Sequence, residues 1–306
     1  LHEIDWDCLT DDAEGGRDDV LFEFLRAIIK DGAALVTNVP STKESSVVKI
    51  ATLLSGSLTP SHTNLYGETW HVKSIANPEN IAYTSIRLSP HQDLCAYESA
   101  PGLQLLHCVE FGDDVAGGES LLIDFMAAAA FFRSVTPGHF RTLATCPANF
   151  VKQREGISMT MSRTHIVTRR DVGGGDDDGE IVGGYWSPNF EGPLCLPEHK
   201  VEGYYEAYRL FQRLVDCDMP MSLEEESEED SVMKIYAKYA REHTWERRLN
   251  PGEMLVFNNR RMLHGRKEFS YREELGADSE ARGTGRHLIG TYTNIDDTLS
   301  KYRVLL

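Results

Sequence analysis

His91-Gln92-Asp93, in the segment LSPHQDLCAY, sets an imidazole and a carboxylate two residues apart. Alternate side chains of a strand share a face, so both groups are expected to converge on one point. A third ligand is offered far downstream in EMLVFNNRRMLHGRKEF, where an apolar strand runs into a turn and then reaches His264. Two histidines and one carboxylate make a facial triad with three open coordination positions, a set suited to Fe(II) that must bind both a chelating acid and O₂. An HxD alone is weak, because a histidine beside a turn is usually an ordinary surface or core residue. The order of the pattern adds weight: HxD within a run of strands, a late histidine at a strand end, then a basic residue on a later strand. Zinc is the rival metal, but no HExxH supplies the general base that hydrolytic zinc needs.

The basic residue is Arg286, in TGRHLIGTY. A 2-oxoglutarate molecule that chelates iron through its keto-acid end leaves a distal carboxylate buried, and such a charge must be paired. A guanidinium gives it two parallel hydrogen bonds. Arg266, Arg272 and Arg282 compete on position; Arg286 is preferred because Leu288 and Ile289 put it on a strand. Ser120, in AGGESLLID, offers a hydroxyl to the same pocket or serves equally well as a turn residue at a strand start.

The elements that must position these groups are legible as periodicity. DDVLFEFLRAIIKD (18–31) predicts a helix stopped by Gly32, AALVTNVP a short buried strand, and SSVVKIATLLSG (45–56) a second helix. From about residue 81 short runs dominate: IAYTSIRLS, GLQLLHCVEF, ESLLIDF, HIVTR, EMLVFN and HLIGTYTNI, each bounded by turn residues. Many short strands of this kind predict a sandwich or barrel. A helix over 198–217 interrupts them, its face of Tyr204, Tyr208, Phe211 and Leu214 reading as core or subunit interface. With no repeat and no linker, residues 1–306 read as one domain, mainly β with flanking helices (α+β). The acidic runs Asp176-Asp177-Asp178 and Glu224-Glu225-Glu226 to Asp230 read as solvated loops inserted between strands.

A net charge of −17 excludes the basic stripe of a nucleic-acid-binding protein, while it is compatible with a cationic ligand. No run approaches the roughly 18 apolar residues of a membrane span, so a soluble protein without membrane partners is expected. Six cysteines, scattered without CxxC pairs, imply reduced thiols in an intracellular compartment. The chain starts at Leu1, which implies a start downstream of the natural one, so a targeting peptide or an earlier domain lies beyond this reading.

NLYGETWHVK, NIAYTSIRLSPHQD, PGLQLLHCVEFGDDVAGGESLLID, LVFNNRRMLHGRKEF and RHLIGTYTNIDDTLSKYRVL together resemble the gamma-butyrobetaine dioxygenases, within the taurine-dioxygenase-like superfamily of 2-oxoglutarate enzymes. The resemblance runs from about residue 20 to residue 306. It implies a double-stranded β-helix (jelly roll), Fe(II) at His91, Asp93 and His264, 2-oxoglutarate on Arg286, and O₂ as oxidant. It also implies an aromatic cage of Tyr66, Trp70, Tyr83 and Tyr292 around a trimethylammonium group, with Asn80 near the substrate carboxylate. A quaternary ammonium has no N–H to donate, so aromatic faces are its natural partners. Leu94 stands where the family has a further cage aromatic, YWSPNF (185–190) only loosely matches the pocket strand, and nothing matches the amino-terminal zinc domain of animal members. The implied reaction is hydroxylation of a small substrate such as gamma-butyrobetaine. Trimethyllysine, another betaine or a sulfonate is the alternative within the class; a non-catalytic jelly-roll binding protein is the alternative outside it. A homodimer is implied, with helix 198–217 as an interface candidate, and carnitine-type metabolism suits the cytosol, with mitochondria as the other compartment.

Overall fold

The computed structural model describes residues 1–10, 17–40, 45–56, 67–73, 84–154, 156–169, 178–219, 228–271 and 285–306. The amino-terminal part forms β1 (His2–Asp5), α1 (Trp6–Thr10), α2 (Arg17–Arg26), β2 (Ala33–Thr37), α3 (Ser45–Ser55) and β3 (Trp70–Lys73). The predicted helix over 18–31 is α2 continued by a single π turn, Ala27–Asp31. Gly32 closes it at φ 96°, its N–H donating to Ala27 O, a left-handed conformation in which a side chain is strained.

Next come β4 (Leu88–His91), β5 (Leu103–Phe111), β6 (Val115–Gly117), β7 (Ser120–Asp124), α4 (Phe125–Val135) and α5 (Pro137–Thr145). Then follow β8 (Pro147–Arg154), β9 (Ile157–Thr164), β10 (Ile166–Arg169), β11 (Glu180–Gly184), α6 (Glu198–Val215) and α7 (Glu228–His243). The chain ends with β12 (Trp245–Arg247), β13 (Met254–Asn258), β14 (Met262–Arg266), β15 (Phe269–Tyr271), β16 (Arg286–Thr293) and α8 (Ile295–Leu305).

Two sheets organise the molecule, one of six strands in the order β1-β2-β13-β5-β16-β3 and one of four in the order β12-β7-β14-β4. Apart from the parallel pair β1–β2, their pairings are antiparallel. Strand pleat separates two apolar faces of the six-stranded sheet. Ala34, Val36, Leu103, Leu105, Met254, Val256 and Ile289 pack under α1, α2, α3 and α8. The intervening Ala33, Leu35, Cys108, Leu255, Phe257 and Leu288 turn the other way and meet Leu122 of β7 and Met262 of β14. On the far side of the four-stranded sheet, Ile123 and Leu263 lie under α4, α5, α6 and α7. The architecture is therefore α+β, with helices covering the outer faces of two sheets that share one core.

Several expectations are corrected by this arrangement. The run IAYTSIRLS is not one strand: residues 81–83 lie outside the described residues, 84–86 bend, and pairing begins only at Leu88. The helices α4 and α5 went unread. Asp124 accepts from the N–H groups of Met126 and Ala127 and starts α4, whose alanine run has high helix propensity. The second acidic run does not separate strands: residues 228–230 open α7, and residues 224–227 are outside the described set. Of the first run, Asp178 lies between β10 and β11 as expected and pairs with Arg141. On α6 the aromatic face packs against the chain's own Phe125, Phe132 and Trp186, so that face contributes to the core. No helix among the described residues is long and apolar enough to cross a membrane.

Phe211 is fully buried against three aromatic rings behind the four-stranded sheet. Phe211→Ala is expected to lower unfolding stability by about 3–5 kcal/mol, read from urea denaturation.

Candidate metal centre

β4 and β14 are antiparallel neighbours, and their register sets His264 directly opposite His91. The two rings stand with centroids 4.3 Å apart. Close approach of these strands depends on Gly265, where a Cβ would meet Leu88 O at 2.7 Å. His264 is the third residue of β14, after the turn that follows β13.

Asp93 arrives by a different route from the one its spacing predicts. β4 ends at His91, and the chain turns at once, with Leu94 in the left-handed region at φ 59° and Tyr97 N–H donating to Leu94 O. Pleat therefore does not align the two ligands; a clamped turn does. Buried Asn259, in the turn between β13 and β14, accepts from Asp93 N–H at 2.9 Å and donates to Asp93 O at 3.1 Å and to Pro101 O at 3.4 Å. Gln92 adds a second clamp, its N–H donating to Trp186 O while its side-chain oxygen accepts from Trp186 N–H.

The outcome is close convergence. One ligating atom from each of His91, Asp93 and His264 lies within 4.8 Å of the others. Asp93 Oδ1 is 3.6 Å from His91 Nε2, and Asp93 Oδ2 is 3.7 Å from His264 Nε2. His91 Nδ1 lies 2.8 Å from Ser89 O, a contact in which the ring nitrogen must donate, leaving the Nε2 lone pair toward the cluster. Tyr292 donates its hydroxyl to Asp93 Oδ2 at 2.7 Å.

Burial works against the Asp93 charge, yet the His91 and His264 imidazoles and the Tyr292 hydroxyl outweigh it and hold the carboxyl well below its usual range. Burial also opposes a charge on His91, but Asp93 and the Ser89 carbonyl raise its pKa overall. His264 is pushed down to about 3 by burial and by His91, so its imidazole is neutral with a lone pair available. An anionic carboxylate between two imidazoles, all half-buried or deeper, fits a divalent cation: it would replace the proton His91 otherwise keeps.

A cleft of about 1040 Å³, counting its open mouth, contains the cluster and is lined by Trp70, Leu94, Lys152, Phe190, Arg266 and Arg286 among others. Arg286 opens β16 at 5 % exposure, its guanidinium 5.4 Å from the Phe111 ring centre and 5.8 Å from that of Phe269. Ser120, at the start of β7, is buried in the same wall. Arg266 also reaches the cleft, but it donates to the carbonyls of Thr84 and Ile86, and burial pushes its pKa down to about 10. Arg272 and Arg282 lie outside the described residues.

Of the expected cage, Trp70 on β3 and Tyr292 on β16 stack at 4.1 Å between ring centres. Gly290 makes room for this, since a Cβ there would run into the Trp70 indole. Leu94 packs with the same pair. Tyr66, Tyr83 and Asn80 lie outside the described residues. Sequence reasoning missed Asn259 and Lys152. An asparagine in a turn is commonplace, so nothing marked Asn259; Lys152 did carry a signal, as the next even-numbered residue in a row with Ala148 and Phe150.

The family model for the taurine catabolism dioxygenase TauD, TfdA family matches residues 12–292. "Dioxygenase str8" of Strobilurus tenacellus is 28% identical over 275 residues, covering 90% of this chain and 56% of its own length. Gamma-butyrobetaine dioxygenase of Homo sapiens is 25% identical over 289 residues, covering 94% of this chain and 64% of its own. The chain thus spans roughly three-fifths of the length of these curated relatives. Among solved structures, asparagine oxygenase in complex with Fe(II), 2S,3S-3-hydroxyasparagine and succinate superposes with a TM-score of 0.56 at 14% identity, covering 96% of this chain and 94% of that one.

Asn259→Ala is expected to leave the fold intact and weaken Mn(II) or anaerobic Fe(II) binding by about 10–100-fold, measured by titration calorimetry. Because Asp93 raises the His91 pKa above 6.5, metal must displace a proton below that pH. Affinity should fall as pH drops, by up to about tenfold per unit, whereas a flat profile between about pH 5 and pH 8 would contradict the assignment.

Proposed function

The chain belongs to the taurine catabolism dioxygenase TauD, TfdA family, and from that premise we propose that it is an Fe(II)- and 2-oxoglutarate-dependent dioxygenase. In this reading it hydroxylates a C–H bond of a small trimethylammonium substrate, with gamma-butyrobetaine as the first candidate. One observation carries it: two imidazoles and a carboxylate from distant segments meet within 4.8 Å on the wall of a cleft that also receives a buried arginine. The two sheets sharing a core support a double-stranded β-helix as the catalytic unit.

His91, Asp93 and His264 would hold the iron. When bound, Fe(II) and 2-oxoglutarate supply the oxidising chemistry, in which O₂ converts the keto acid to succinate and CO₂ while the substrate carbon gains a hydroxyl. The residues themselves position and exclude. Arg286 pairs with the distal carboxylate of the keto acid, with the Ser120 hydroxyl beside it, in a wall whose burial makes that pairing selective for a dianion. Leu88, Leu106 and Leu288 keep water from the same wall. The stacked faces of Trp70 and Tyr292 receive the ammonium, while the Tyr292 hydroxyl stays engaged with Asp93, which couples substrate placement to the metal ligand. Tyr66, Tyr83 and Asn80 complete the substrate site in this reading, and the assembly is a homodimer.

Succinate formation with Fe(II), 2-oxoglutarate and a panel of gamma-butyrobetaine, trimethyllysine, glycine betaine and taurine tests the reading directly. Turnover of at least one trimethylammonium compound is expected; activity that persists without O₂ and 2-oxoglutarate, or turnover of taurine alone, would sink it. Arg286→Met is expected to raise the KM for 2-oxoglutarate by about thirtyfold or more, the loss of one partner of a buried charge pair at roughly 2–5 kcal/mol. Trp70→Leu should cost about 0.5–2 kcal/mol in kcat/KM for the ammonium substrate.

A further inference from the structure

Strands β3 and β16 each present two faces. Trp70, Val72, Arg286, Leu288 and Tyr292 turn into the cleft. Strand pleat therefore sends His71 and His287 to the opposite face of the six-stranded sheet, where Ile289 packs among the helices. Register pairs His71 with Ile289 and Lys73 with His287, which leaves the two imidazoles diagonal neighbours. Their rings meet: His71 Nδ1 lies 2.8 Å from His287 Nε2, with centroids 5.0 Å apart. Ile289 is paired on its other side with His107 of β5, so a third imidazole shares this face.

His107 is fully buried, and neither of its ring nitrogens has a hydrogen-bond partner among the described residues. A core built for packing alone avoids that cost. Burial, and then His287, push the His107 pKa down to about 4, so the ring is neutral and keeps a lone pair. His71 and His287 are only half-buried, which leaves them within reach of solutes. A tetrahedral ion with nitrogens at 2.0–2.1 Å holds two imidazole nitrogens about 3.3 Å apart, roughly 0.5 Å more than the present gap. A small ring movement therefore admits a cation, and the hydrogen between the rings passes to the other nitrogen of the donor. Lys73 and Glu110 are the partners of His287 in the adjacent strands, one charge of each sign, so the sheet sets no net charge against an incoming ion.

We propose that His71 and His287 ligate a transition-metal ion of the Zn(II), Ni(II) or Cu(II) kind, the class that imidazole suits, with His107 placed to join them. This second site lies across the sheet from the cluster of His91, Asp93 and His264. Its effect is mechanical. β3 is an edge strand held only by β16, along four residues. An ion bridging His71 to His287 staples that edge, and with it the neighbouring Trp70, whose ring stacks on Tyr292 in the cleft. The inference stands independently of the dioxygenase reading.

Zn(II) titration calorimetry and hydrogen exchange test it, on wild type, on Asp93→Ala, and on each of these carrying His71→Gln or His287→Gln. Asp93→Ala, which takes the carboxylate from the first cluster, is expected to keep a Zn(II) site that either histidine substitution weakens by about tenfold or more, the least that losing a ligand should cost. Zn(II) should slow amide exchange in β3 of Asp93→Ala and leave it unchanged once either histidine is replaced. Mn(II) binding at the first cluster, retained in the single histidine variants, reports that the fold is intact. Should neither variant fold, a zinc anomalous-difference map of wild-type crystals reads the site without substitution. Density between the His71 and His287 rings upholds the proposal, and density confined to the first cluster overturns it. Zn(II) affinity and β3 exchange that ignore both histidine substitutions also overturn it, while leaving the dioxygenase reading untouched.

Discussion

Everything chemical in this molecule depends on the register of one antiparallel strand pair. With His264 opposite His91, both imidazoles stand on the inner face of the four-stranded sheet. A slip of one residue would turn every side chain of β14 to the opposite face, putting Leu263 in the cleft and His264 among the aromatic core behind. That slip is blocked twice over, because β14 is paired on its other edge with β7 along five residues. The carboxylate is fixed independently by the Asn259 clamp on its backbone. Two imidazoles set by a sheet and one acid set by a turn make a rigid, preorganised donor set.

The same economy of placement governs charge. Two imidazoles crowd one carboxylate in a setting where burial works against every charge, and the pattern that results keeps Asp93 ionised and His264 neutral. The ring of Tyr292 belongs to the aromatic wall while its hydroxyl serves the acid, so the Trp70 side of the cleft and the Asp93 carboxylate meet in one residue. In the wall, Arg266 donates to carbonyl oxygens, and both Arg266 and Arg286 lie against aromatic rings, which helps to support a guanidinium out of water.

What was legible in the sequence follows from how local each cue is. The meeting of His91, Asp93 and His264 could be expected because their residue types and strand context are local, and the place of Arg286 on a strand because the apolar Leu288 and Ile289 after it mark one. The geometry that joins His91 to Asp93 was misread, since period-two alternation assumes the strand continues, whereas Leu94 turns the chain. Helix α4 went unread because its apolar run follows directly on that of β7, with only the Asp124 cap to mark the change, and α5 went unread although Pro137 opens it. Asn259 was invisible for a deeper reason: its importance lies in meeting a backbone more than 160 residues away, which no local pattern encodes. The acidic run at 228–230 was taken for a loop because charge alone does not distinguish a solvated turn from the first turn of a helix.

The distance along the chain between the two opposed imidazoles, about 170 residues, has a kinetic meaning. Closing so long a loop carries an entropy cost that must be met before the pair exists, and contacts of that sequence separation form late. A metal ion cannot therefore act as an early template for the polypeptide. It can only capture the finished arrangement and shift the population toward it by mass action, so apoprotein refolding should proceed at a rate indifferent to the ion while unfolding is slowed by it.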